Sequence, residues 1–80
     1  MTEKTDFDME IDLKGLVCPL PMIKVSQNIP RVPVGGVLKA ITTDPGSLSD
    51  IASWARSTGN KVLKIDKAPK EFVFYIKRTK

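Results

Sequence analysis

Eighty residues suffice for one domain with a modest core, and 41% hydrophobic with 28% charged residues is the balance of a soluble globular chain. One cysteine and no histidine exclude an internal disulfide framework, the usual zinc sites and any Cys–His nucleophile pair. The net charge of +4 is uneven, because residues 1–12 set five acids against Lys4 while the remainder sets twelve Lys and Arg against four acids. Such a basic body suits anionic partners or is simply well solvated.

At the start of the chain, Phe7, Met9, Ile11 and Leu13 alternate with Asp8, Glu10 and Asp12, which predicts a half-buried strand over 7–13. Gly15 ends it. A helix is expected from Pro19 to about Ile29, with Met22, Val25 and Ile29 on one face, and "PRVPVGG" (30–36) must stop it. "VLKAITT" (37–43) reads as a second strand. A second helix opens at "DPGS" (44–47), where Asp44 suits the cap and Pro45 the first helical position, with Ser47 and Asp50 as a rival capping pair. Its apolar stripe is Leu48, Ile51, Ala52 and Ala55, and Gly59 supplies the left-handed stop. Trp54 lies beside that stripe and is expected mainly as core. "KVLKI" (61–65) and "EFVFYIK" (71–77) are strands joined by a turn around Ala68-Pro69, with Phe72, Phe74 and Ile76 facing the helices and Tyr75 facing away.

The order β-α-β-α-β-β predicts an α/β two-layer sandwich: a mixed four-stranded sheet with both helices packed on one face. The first two strands should be parallel neighbours or near neighbours and the last two antiparallel. Residues 9–80 are expected as a single domain and residues 1–8 as a mobile tail. The polar, acidic start has no apolar signal core, and no run approaches the roughly 20 residues that span a bilayer, so a cytoplasmic place with no membrane contact is expected.

The one sulfur stands in "LVCPLP" (16–21). With Cys18 at the N-cap, Pro19 and Pro21 fall at N1 and N3, where a missing N–H costs no helical hydrogen bond and a preset φ stiffens the turn. Few donors then remain at the helix mouth, chiefly the N–H of Leu20 and, one turn in, of Met22. The positive helix end lowers a thiol pKa from about 8.5, and Lys14 and Lys24 are candidates to add positive potential. A lone cysteine is more often a buried filler, but a filler needs no braced turn. The expected site is therefore Cys18 as the catalytic sulfur, with Gly15, Pro19 and Pro21 as motif support, no metal and no cofactor. Without a histidine or a second thiol, the remaining chemistry is to accept one group and pass it on, as a persulfide or a mixed disulfide.

"DLKGLVCPLP" (12–21) has the pattern D-x-x-G-x-x-C-P-x-P and resembles the signature of the TusA/SirA-like sulfur-carrier family. The resemblance continues through "ITTDPGSLSDIASWARSTGNKVLKI" and the aromatic last strand. It implies the same sandwich, similar to the C-terminal domain of bacterial translation initiation factor three. It also implies a sulfurtransferase-type carrier whose Cys18 takes sulfane sulfur from a cysteine desulfurase or rhodanese-type donor and hands it to an acceptor protein. Family members serve tRNA 2-thiouridine formation, molybdenum-cofactor metabolism and sulfur oxidation. Ala55 and Asn60 stand where some relatives have cysteine and histidine, and Leu20 stands where tRNA-thiolating members have an acid. A monomer is expected. The alternative is a non-catalytic RNA-binding or regulatory interaction module that uses the basic surface and ignores the thiol.

Overall fold

The computed structural model describes residues 7–79. Its elements are β1 (Met9–Leu13), α1 (Leu20–Asn28), a 3-10 turn (Ile29–Arg31), β2 (Val37–Thr42), α2 (Ser47–Thr58), β3 (Lys61–Lys67) and β4 (Phe72–Lys77). The expected order of strands and helices holds. Most of the expected tail, residues 1–6, lies outside the described residues. Asp8 donates its N–H to Val37 O at 2.8 Å, and its carboxylate accepts the Val37 N–H at 2.8 Å.

The four strands form one mixed sheet in the order β1-β2-β4-β3. β1 runs parallel to β2, and β4 lies antiparallel to both β2 and β3. β4 thus inserts between β2 and β3, a placement the hairpin pattern alone does not give. In register, Met9, Ile11 and Leu13 stand beside Leu38, Ala40 and Thr42, which stand beside Ile76, Phe74 and Phe72. Because side chains alternate along a strand, this whole set shares one face. Val25 of α1 and Ile51, Trp54 and Ala55 of α2 join the same buried cluster, so both helices cover that face. Phe74, Leu38, Ile51, Ile76 and Val25 are sealed from solvent; burying such side chains stabilises by roughly 1.5–3 kcal/mol each. Trp54 is core, as its neighbours on the helix suggest.

The opposite face is open. There Lys39 lies over the rings of Phe7 and Tyr75, 5.0 and 5.9 Å from their centres. β3 is an outer strand, and its pairing with β4 slips between Val62 and Lys64, leaving Leu63 as the extra residue of a bulge.

Two glycines shape the connections. Gly15 has φ +87°, a left-handed conformation that turns the chain out of β1. Gly36 is buried, and a methyl group there would sit 2.7 Å from Val32 Cγ1 and 2.9 Å from Pro33 O.

Candidate functional site at the mouths of two helices

β1 and β2 are adjacent and parallel, so the segments that follow them leave the same end of the sheet. Leu13 pairs with Thr42, which sets Gly15 beside Thr43, and the Gly15 N–H donates to Thr43 Oγ1 at 2.9 Å. Ends of parallel strands are where α/β sheets gather their chemistry. Here they bring together the Cys18 turn and the Asp44 loop, 26 positions apart in the chain.

Cys18 is exposed. It stands one residue further from the helix than the expected N-cap. Pro19 is the N-cap, α1 begins at Leu20, and Pro21 lies in its first turn, buried against the body. The reason is a tight turn: the Leu20 N–H bonds to Val17 O at 2.9 Å and the Ile23 N–H to Pro19 O at 3.1 Å. The Leu20 donor is therefore consumed by the backbone and is not offered to the sulfur. Proline costs no helical hydrogen bond at these shifted positions either.

The electrostatics also differ from expectation. Lys14 Nζ lies 3.9 Å from Asp12 and 4.0 Å from Glu71. Neither Lys14 nor Lys24 is among the groups acting on the thiol. Those groups are carboxylates. Asp50, from the first turn of α2, accepts a hydrogen bond from Cys18 Sγ. Asp44 accepts the Cys18 backbone N–H on Oδ2 at 2.5 Å. The Cys18 pKa is accordingly raised above the ordinary thiol range, first by the hydrogen bond to Asp50, then by desolvation and the charges of Asp50 and Asp44. A direct bond to an ionised acceptor outweighs a helix dipole felt from outside the first turn.

The same contacts explain why Asp44 does not cap α2. The N-cap is Gly46, with no side-chain cap bond, and the helix starts at Ser47 rather than at Pro45. Asp44 instead folds its own loop. Its Oδ1 accepts the Gly46 N–H at 3.3 Å, and its backbone carbonyl accepts from the Ser47 N–H at 3.0 Å and from Ser47 Oγ at 2.7 Å. Ser47 Oγ also meets Thr42 Oγ1 at 2.7 Å in the buried layer, tying the loop to the end of β2. Gly46 lies close against the sulfur residue: a methyl group there would stand 3.2 Å from Cys18 Cβ.

On the α1 side, next to Cys18 in the chain, the exposed side chains are apolar. Val17, Leu20 and Ile23, flanking Cys18 and one turn along α1, are 64%, 41% and 36% exposed. A shallow pocket of about 290 Å³ lies elsewhere, lined by Ala52, Ala55, Arg56, Asn60, Lys61 and Val62, and shares no residue with the sulfur site. Among the described residues no cluster of histidine, cysteine and acids could hold a metal ion, and no helix is long and apolar enough to cross a membrane.

The profile of the family described as "Sulfurtransferase TusA" matches residues 9–78, spanning both strand ends and both helix mouths. The chain belongs to the TusA family. It is 39% identical over 74 residues to the sulfur carrier protein TusA of Allochromatium vinosum, covering 92% of this chain and 97% of that one. The sulfur carrier protein TusA of Pseudomonas syringae is 32% identical over 76 residues, covering 95% of this chain and 90% of that one. A relative in Aquifex aeolicus is 43% identical over 76 residues, but this chain spans only 39% of its length. Among solved structures, a SirA-like protein from Desulfitobacterium hafniense superposes with a TM-score of 0.77 at 22% identity, over 91% of this chain and 100% of that one. The TusA fold of four mixed strands and two helices is therefore common to both.

Asp44 and Asp50 are the residues at the site that sequence reasoning assigns elsewhere, as helix caps. Their only sequence signal is one aspartate ahead of α2 and one in its first turn, which capping rules already explain.

Proposed function

We propose that the chain is a cytoplasmic sulfur carrier, working as a monomer, that accepts sulfane sulfur on Cys18 as a persulfide and passes it to a partner protein. The observation that carries this reading is the placement of Cys18: an exposed sulfur on a braced turn at the ends of two parallel strands, in a chain of the TusA family. The exchange is Cys18–SH plus R–S–SH giving Cys18–S–SH plus R–SH. The Cys18 sulfur bonds to the outer sulfur of the donor persulfide, the donor S–S bond breaks, and the Cys18 proton ends on the departing thiolate. No net oxidation occurs, so neither a second thiol nor a redox cofactor is required.

A cysteine desulfurase or a rhodanese-type protein supplies R–S–SH in this scheme, and a second protein takes the sulfur onward. Val17, Leu20 and Ile23 support docking of such partners, because exposed apolar side chains close in the chain to a reactive atom exclude water when a partner covers them. The RNA-binding alternative is favoured less. It needs free aromatic faces on the open side of the sheet, and there Lys39 already lies over Phe7 and Tyr75.

The test is mass spectrometry of the intact chain after incubation with a desulfurase plus cysteine, or with polysulfide. The chain should gain the mass of one sulfur atom, lose it on reduction, and gain nothing as Cys18→Ser. No gain with any donor overturns the reading.

A further inference from the structure

We propose that Asp50 is a positioning residue of the sulfur site, holding the Cys18 side chain in one direction and keeping the unloaded sulfur as a neutral thiol. Its use in sulfur transfer rests on the carrier reading above; its action on the thiol rests on the contact between the two side chains.

An ionised carboxylate only accepts hydrogen bonds. The contact between Sγ and Asp50 Oδ2 therefore exists while the proton is on sulfur. Remove that proton, and two like charges face each other with nothing between them. Asp44 adds a second negative group while its carboxylate fixes the Cys18 backbone. The absence of a side chain at Gly46 lets the Cys18 turn lie this close to α2. Of the charged groups near the turn, Asp50 faces the sulfur from α2 and Asp44 from its loop, and both favour the thiol. Lys14 is drawn toward Asp12 and Glu71.

This arrangement separates the empty carrier from the loaded one. The empty sulfur is held as a thiol, the form least reactive toward oxidants and chance electrophiles. On loading, Sγ exchanges its proton for a bond to the outer sulfur, and the hydrogen bond to Asp50 ends. The Asp50 carboxylate then repels an anionic persulfide, turning the outer sulfur away from α2 and toward a partner.

The experiment is the rate of iodoacetamide alkylation of the full chain as a function of pH, for the wild type, Asp50→Asn, Asp50→Ser and Asp50→Glu. Asp50→Asn and Asp50→Ser should displace the profile to lower pH. A displacement of about one pH unit raises the thiolate fraction about tenfold, and because a less basic thiolate is a poorer nucleophile, the rate at pH 7 rises about three- to fourfold. Asp50→Glu, which keeps the charge, should move back toward the wild-type profile. A merely structural Asp50 would not move the profile in a charge-dependent direction. Neutral variants whose profile stays in place or moves to higher pH overturn the proposal. Sulfur loading of the wild type is measured in parallel. A wild type that never loads defeats the carrier reading, while an unmoved profile in a chain that does load defeats only the assignment of Asp50.

Discussion

The two helices open side by side at one end of the sheet, and their first turns are built from opposite chemistry. α1 has no acidic residue in its first turn and carries the sulfur just ahead of it; α2 carries Asp50 in its first turn and Asp44 just ahead. Neither has a side-chain cap bond. At α2 the two aspartates that capping rules would use are present but reach across to the Cys18 turn. The difference teaches that a capping signature marks where a carboxylate is, and a neighbouring element decides what it binds. One mouth presents the sulfur, and the other sets two carboxylates against it.

Four changes would break or sharpen this contrast. The largest effect is expected from making the α1 mouth acidic: Leu20→Asp replaces an exposed apolar side chain two residues from Cys18 with a charge. Sulfur transfer from a protein donor should fall about tenfold or more, the loss when a side chain that dominates docking is disrupted, while polysulfide still loads Cys18. Equal losses with both donors would show that Leu20 acts on the sulfur and not on docking.

Next is Ser47→Ala, at the root of the α2 mouth. It leaves the buried Thr42 hydroxyl without its partner and the Asp44 carbonyl without one of its donors. A loss of about 1–3 kcal/mol in denaturant unfolding is expected. Gly15→Ala follows. Space is free around that position, so the cost is the left-handed backbone alone, roughly 1–2 kcal/mol by the same measurement. A neutral outcome would mean that the turn into Cys18 relaxes without harm.

The smallest effect is electrostatic. Wild-type alkylation should keep rising beyond the pH at which an ordinary thiol, pKa about 8.5, has ionised, because the thiol pKa is raised. Asp44→Asn should shift the profile to lower pH by less than Asp50→Asn, since Asp44 acts on the sulfur through its charge and Asp50 through a hydrogen bond as well. In 1 M salt, where screening acts within about 3 Å, the Asp44 effect should fade and that of Asp50 persist. Equal shifts for both, insensitive to salt, would refute this division.

The sheet and helices were legible because their signals are local. Alternation in 7–13 and the Phe72-Phe74-Ile76 face marked strands, and the spacing of Leu48, Ile51 and Ala55 marked a helix whose end Gly59 fixes at φ 82°. The helix starts were misplaced where proline and aspartate have two uses. Pro19 serves as N-cap rather than first helical residue, and Asp44 folds a loop rather than capping α2. Cys18 was legible because its unusual neighbours needed a reason. Its true electrostatic partners were not, because they lie 26 and 32 positions away and meet it only once β1 and β2 are side by side. Sequence proximity pointed instead to Lys14 and Lys24.

The slip in pairing at Leu63 reaches beyond the sheet itself. An outer strand with regular spacing invites a second molecule to zip onto it, and Lys61, Lys64 and Lys67 beside an interrupted ladder make that rim a poor template. In the proposed carrier role the chain must part from each protein it visits, and a border that resists adhesion favours release over lasting attachment.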